Sequence, residues 1–126
     1  MKKLILLGIL FTLVGCSSLK NISKKDLNLK TLRETRKCVK CDLSGLNLLG
    51  EDLKFVNLRG ANLKNAFLSG VDFTGADLEN VDLRGANLSS YEIKIPGYEY
   101  RFEETNFYNT NLKSANFKET ILENAN

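Results

Sequence analysis

From position 43 the chain carries an apolar residue at every fifth place: Leu43, Leu48, Leu53, Leu58, Leu63, Leu68, Phe73, Leu78, Leu83, Leu88 and Ile93. Two places ahead of each stands a mostly small or β-branched residue, such as Ala61, Ala66, Val71, Ala76, Val81 and Ala86, and Tyr91 falls in the same place. Between the two stands an Asp or Asn in most units. A period of five matches neither the period of an α-helix, about 3.6, nor that of a flat strand, about 2. It fits a four-sided coil in which each side gives two residues inward and three outward, so that four pentads close a coil of twenty residues. Coils stacked at the inter-strand spacing of about 4.8 Å place Leu43 on Leu63 on Leu83, and Leu48 on Leu68 on Leu88. Small residues let the backbone turn tightly, and Asp and Asn suit corners because their side chains bond nearby backbone groups.

The units ANLKN, ADLEN, VDLRG and ANLSS resemble the A(D/N)Lxx consensus of the pentapeptide-repeat family, over roughly residues 41–126. The resemblance implies an all-β fold, a right-handed four-sided β-helix of about four coils. A shared fold implies no shared activity. The period shifts once. After Ile93 the apolar series resumes at Phe102, Phe107, Leu112, Phe117 and Leu122, and Leu83 to Phe107 is one coil plus four residues. Residues 94–101 (KIPGYEYR), with the only proline in a Pro96–Gly97 turn signal, therefore read as an insertion bulging from one corner.

Ahead of the array, residues 26–37 have good helix formers and no Gly or Pro, and Ser23 with Asp26 has the spacing of a capping box. Leu29 and Leu32 share one face, with Leu27 nearby, and a helix this short needs something apolar to cover. Residues 26–40 are thus expected to form a capping α-helix and turn over the first coil.

The first twenty residues read as an address. Lys2 and Lys3 precede an apolar stretch over residues 4–14, too short to span a bilayer, which takes about 20 residues. A basic start, a short apolar run and a small-residue cleavage site read as a secretory signal. Leu13-Val14-Gly15-Cys16 resembles the lipobox of bacterial lipoproteins. That resemblance implies removal of residues 1–15 and lipidation of Cys16, leaving residues 16–25 as a polar tether. It places the chain in the cell envelope, anchored to membrane through lipid. Ser17 resembles the residue that follows the lipidated Cys in outer-membrane lipoproteins, where the cell has two membranes. Charge follows the same division: residues 17–40 carry eight Lys/Arg against two acids, and residues 41–126 carry eight against thirteen. A mildly acidic body of mixed charge does not attract nucleic acid.

Few residues can do chemistry. There is no His, which removes the commonest general base and metal ligand. Cys38 and Cys41 form a CxxC that could serve zinc, redox exchange or a disulfide. No second CxxC supplies the further ligands zinc needs, and Cys41 falls on a small inward position, so a structural role leads. Asp42, Asp52, Asp72, Asp77 and Asp82 all occupy one repeat position, which accounts for them without catalysis. Glu51 falls on an inward position near the array's start, where it could reach solvent or pair with a Lys of the helix. No cofactor or metal is expected, and no enzymatic activity.

Binding surfaces are the better prospect. Tyr98, Tyr100 and Tyr108 are candidates for exposure, and tyrosine-rich loops make contact surfaces at low entropic cost. Leu49 and Phe67 stand out of pattern on the second side and could form a small apolar patch. The sequence stops at Asn126 in mid-pentad with no second cap in view, so the last coil would present Phe107, Leu112, Phe117 and Leu122. Members of the family often stack two such ends, so the resemblance implies a homodimer there as one solution; the competing solution is a monomer in which the larger Phe rings fill the end of the core. The function expected is a non-catalytic envelope scaffold binding protein or glycan; the alternative is a structural lipoprotein with no specific ligand.

Overall fold

The computed structural model describes residues 22–94, 96–97, 101–123 and 125–126. The signal segment, Cys16, the tether up to residue 21, and Tyr98 and Tyr100 lie outside the described residues.

The backbone pairs with itself in parallel at an offset of twenty, in four columns: Lys37–Asn57–Asp77, Asp42–Asn62–Asp82, Asn47–Phe67–Asn87 and Asp52–Asp72. Each pair is one rung of a four-sided solenoid. The inward places from Leu43 to Leu88 are closed to solvent, as are Val56, Ala61, Ala66, Val71, Ala76, Val81 and Ala86. Burial of one such leucine is worth about 1.5–3 kcal/mol, and its truncation to Ala in a middle coil would cost about 2–5 kcal/mol. The series starts one pentad earlier than the leucine stripe indicates. The amide of Cys38 donates to Asn57 O at 2.9 Å, so Cys38 fills the leucine place of the first side and is itself buried.

Corners are made by the two residues after each leucine. The small residue's amide closes the turn back onto the leucine carbonyl, as Ala61 onto Leu58 at 2.9 Å. The second turn residue has positive φ, whether it is Gly or a residue such as Lys40, Phe55, Asn65, Asn80 or Asn109, as turns of this kind require.

The insertion is longer than the period shift indicates. Beyond residue 90 the rung offset becomes 34: Asp72 pairs with Asn106, Asp77 with Asn111, Asp82 with Asn116 and Asn87 with Ile121. Fourteen residues, 91–104, therefore leave the solenoid, not the residues 94–101 expected. They include an antiparallel hairpin of β1 (Tyr91–Ile93) and β2 (Arg101–Glu103), with Glu92 opposite Phe102. Ile93 and Phe102 are thus hairpin residues and not rungs of the core series. Phe107 stacks on Phe73, with ring centroids 5.4 Å apart and planes within 8°, and not on Leu83. Thr105 takes the small inward place assigned to Tyr91; its hydroxyl donates to Leu68 O at 2.9 Å and accepts from the Gly70 amide at 3.1 Å. The Tyr91 ring instead lies outside, over Gly50 and Gly70, where a Cβ on Gly70 would collide with it.

Helix α1 runs Lys24–Thr35, starting two residues earlier and ending two earlier than expected. Ser23 is its N-cap: the hydroxyl accepts from the Asp26 amide at 3.1 Å and the Asp26 carboxylate accepts from the Ser23 amide at 3.2 Å. At the other end Arg36 turns left-handed, φ 58°, which stops the helix before Lys37. Leu32 is wholly buried in the core cluster and Leu29 packs against it, while Leu27 faces solvent. Polar side chains on this helix serve the edge of the first coil. Asn28 Nδ2 donates to Asp42 O at 3.0 Å, Lys25 Nζ to Ser44 O at 2.6 Å, and Arg36 to Asp52 O at 2.8 Å and to Lys54 O. Carbonyls that have no coil beneath them thus find donors.

Deleting residues 91–104 joins Ser90 to Thr105 and restores the offset of twenty, so that variant should keep its β-rich circular dichroism and a cooperative melt. Loss of both would mean that the hairpin holds the last coil in place.

Candidate binding surface

The outward middle position of each pentad is committed to the backbone. Asp or Asn Oδ1 accepts from the amide two residues on: Asp42 from Ser44, Asp52 from Lys54, Asp72 from Thr74, Asp77 from Glu79 and Asp82 from Arg84, at 2.9–3.2 Å. The same bond recurs at Asn47, Asn57, Asn62, Asn87, Asn106, Asn111 and Asn116. A second use is diagonal pairing between coils, with Lys54 to Asp72 and Lys64 to Asp82 both at 3.2 Å, and Arg59 to Asp77 at 3.4 Å and to Glu79 at 2.8 Å. Glu51 pairs with Arg33 of α1, so the partner is an arginine and not one of the helix's lysines.

Among these carboxylates, Asp82, Asp42 and Asp72 are lowered by their partners. The Arg84 guanidinium, working against burial and aided by the Arg84 amide and Lys64, holds Asp82 well below the usual carboxylate range. Asp42 is lowered by the Ser44 hydroxyl and amide. At Asp72 partial burial works the other way, and the Thr74 hydroxyl and amide with Lys54 outweigh it. Among the described residues no group of His, Cys, Asp and Glu is arranged to hold a metal.

Cys38 and Cys41 are joined by a disulfide, with Cα atoms 5.5 Å apart. The bridge spans the first corner, from a leucine place to the next small place. Cys41 sits in the column of Ala61 and Val81.

The aromatic and apolar residues divide. Leu49 and Phe67, 48% and 54% exposed, lie on one side, where Asn47 pairs with Phe67. Phe67 occupies a middle position, so the Ser69 amide lacks the side-chain acceptor its counterparts Leu49 and Ser89 have. Tyr108 stands out on another side, 67% exposed. Phe55, at 73% exposure, is more open still. It sits at a positive-φ corner, and its ring lies over Gly75, where a Cβ would stand 2.5 Å from it. The sequence offered one signal for Phe55, an aromatic at a place that holds Gly or Asn in most pentads. At the far end Phe107, Leu112, Phe117 and Leu122, with Ala125 and Asn126, line an apolar hollow of about 250 Å³. Phe107 and Phe117 meet edge to face at 6.3 Å.

A solenoid of stacked five-residue turns, with its acids spent on its own corners, is a repeat scaffold. The family model for pentapeptide repeats matches eight copies over residues 37–75, 52–89 and 101–126, and the chain belongs to that family. Membership makes the solenoid a right-handed β-helix, and proteins of this family are in general structural or scaffolding proteins. Among solved structures, the chain is similar to a pentapeptide repeat protein of the Arabidopsis thaliana thylakoid lumen, at 34% identity over 68% of this chain and 61% of that one, TM-score 0.27. It is also similar to HetL of Nostoc sp. strain PCC 7120, at 25% identity over 70% and 44%, TM-score 0.32. A third is a pentapeptide repeat protein of the cyanobacterium Cyanothece 51142, at 19% over 75% and 92%, TM-score 0.29. No protein of curated function matches.

Because Asp42, Asp72 and Asp82 titrate lower in the folded chain than the unfolded value of about 3.9, their contribution is whole above about pH 5 and is lost as pH falls through 4 toward the folded values. Asp82→Asn should flatten that acid limb of the melting curve against pH. A wild-type melting temperature that holds steady down to about pH 2 would contradict the assignment.

Proposed function

We propose that the protein is a non-catalytic envelope scaffold: a solenoid of about four coils, covered at its N-terminal end by α1, lipid-anchored to membrane through Cys16, and binding protein or glycan on its outer sides. The observation that carries this reading is the engagement of the repeat carboxylates at the corners, together with aromatic rings left open where the repeat does not need them. Catalysis by paired carboxylates needs free acids converging on one point, and Asp42, Asp52, Asp72, Asp77 and Asp82 are instead spread over three columns, each accepting from the amide two residues on. The lipobox and the basic lead-in support the anchor. The Cys38–Cys41 pair fits an oxidising compartment outside the cytoplasm, where disulfides persist. Nucleic acid is not the partner proposed, since the basic residues 54, 59, 64 and 84 are paired with acids. In a cell with two membranes, Ser17 favours the outer one.

The hollow at residues 107–126 supports a homodimer. Among the described residues the amides of Leu112, Ser114, Phe117 and Glu119 find no acceptor, and an apolar end with unpaired backbone groups is a ready surface for a second copy. One variant tests anchor and dimer together. Cys16→Ala should move the chain from the membrane to the soluble or unprocessed pool, and the released protein should run at about twice its monomer mass by light scattering. Normal processing with unchanged membrane fractionation contradicts the anchor, and a clean monomer at micromolar concentration contradicts the dimer.

A further inference from the structure

Phe55 is a poor residue for the place it holds. The corresponding corner position is Gly at 45, 50, 60, 70, 75 and 85, Asn at 65, 80 and 109, and the polar residues Lys40, Ser114 and Glu119, all with positive φ, so that Phe55 is the apolar ring among them. A bulky side chain with positive φ is strained, and this one is also largely open to water. The solenoid would close at least as well with glycine there. Strain combined with an exposed ring points to use rather than to architecture.

The ring has a companion. Phe55 lies over Gly75, and the Gly75 amide donates to the Tyr108 carbonyl at 2.9 Å. Phe55 and Tyr108 thus belong to one corner and both adjoin Gly75, Phe55 by its ring and Tyr108 by its backbone, and both side chains are open to water. Around them stand Thr74, Asn106 and Asn109. The Asn106 amide donates to Thr74 Oγ1 at 3.1 Å, and the Asn109 side chain has no partner among the described residues. Asp72, which bonds Thr74, is engaged by Lys54 at 3.2 Å and by the Thr74 hydroxyl at 2.5 Å.

We propose that Phe55, Gly75 and Tyr108 form a stacking platform for a neutral glycan. The proposal rests on the scaffold reading and names its ligand class. Size argues against a folded partner or a second copy: two rings of about 150–250 Å² each fall far short of the roughly 800 Å² that one side of a stable protein interface buries. Charge argues against an anionic polymer, since Lys54, the cation at this corner, is paired with Asp72 and Phe55, Thr74, Gly75, Tyr108 and Asn109 carry none. A cationic ligand would have ring faces but no free carboxylate. A neutral sugar has what the site lacks: an apolar C–H face for the rings, and hydroxyls for the Tyr108 hydroxyl and the Asn109 amide. Sequence reading alone placed Tyr108 with Tyr98 and Tyr100; the glycine that joins it to Phe55 is visible only once the coils are stacked.

The test titrates the full-length protein in detergent micelles with three hexasaccharides: one of N-acetylglucosamine (neutral), one of glucosamine (cationic) and one of galacturonate (anionic). The neutral hexamer should bind, with backbone shifts gathered at residues 55, 74–75 and 108–109. Phe55→Gly and Tyr108→Ala should each weaken it about tenfold. Phe55→Gly should melt no lower than wild type, because glycine suits that corner. Three results overturn the proposal: no binding of the neutral hexamer, binding of a charged hexamer in preference, or binding that survives both substitutions. A sharp fall in the Phe55→Gly melting temperature with binding retained would assign the ring to structure and overturn it as well. The titration uses purified protein, so a failed anchor leaves it valid, and a failed titration leaves the anchor standing.

Discussion

Each corner has to turn the chain within two residues while leaving the flanking amides and carbonyls aimed at the coils above and below. The side-chain bond from the middle Asp or Asn to the amide two residues on meets that demand. It satisfies an amide that points out of the ladder, and it sets the backbone for the turn residue with positive φ. Asn62 shows the full arrangement: its Oδ1 accepts from the Lys64 amide at 3.1 Å while its Nδ2 donates down to Asp42 Oδ1 at 3.2 Å. The inward leucines then stack with no choice of register. The apolar core follows from the corners, and the burial of Leu43 to Leu88 holds the whole in place.

Once the corners consume the polar side chains, the surface has little left for chemistry. The lysines and arginines of one coil reach the acids of the next, leaving a surface of mixed, locally neutralised charge. The pentad pattern is broken at few places. Phe55 departs at a corner, Phe67 and Ile121 at middle positions, and the 91–104 hairpin leaves the array altogether. Its base is pinned by Tyr91 over Gly50 and Gly70 and by Thr105, whose hydroxyl bonds the backbone at Leu68 and Gly70.

The spacing of leucines was enough to read the coil of twenty, the ladders up to Leu88 and the helix ahead of them, because each rests on local pattern. The size of the insertion was not legible, for an arithmetical reason with a physical cause. A period of five reveals only the remainder of an insertion after whole pentads are removed, and fourteen leaves four. The hairpin strands Tyr91–Ile93 and Arg101–Glu103 place Ile93 and Phe102 in step with the series, so Ile93 passed for a core residue. The earlier start at Cys38 was hidden because a cysteine, not a leucine, fills the first inward place. The apolar end was legible, since Phe107, Leu112, Phe117 and Leu122 keep the period after the hairpin. Phe55 was legible only as an aromatic where most pentads hold Gly or Asn, because Gly75, over which its ring lies, is one coil away.

The central claim is that one ladder runs through the whole array, at an offset of twenty before the hairpin and 34 after it. Nuclear Overhauser contacts between backbone protons of neighbouring coils read that offset directly. The account predicts contacts between Asp77 and Asn57, and between Asp77 and Asn111, with ring protons of Phe73 meeting those of Phe107. Contacts that instead bring Phe107 onto Leu83, at an offset of 24, would contradict it.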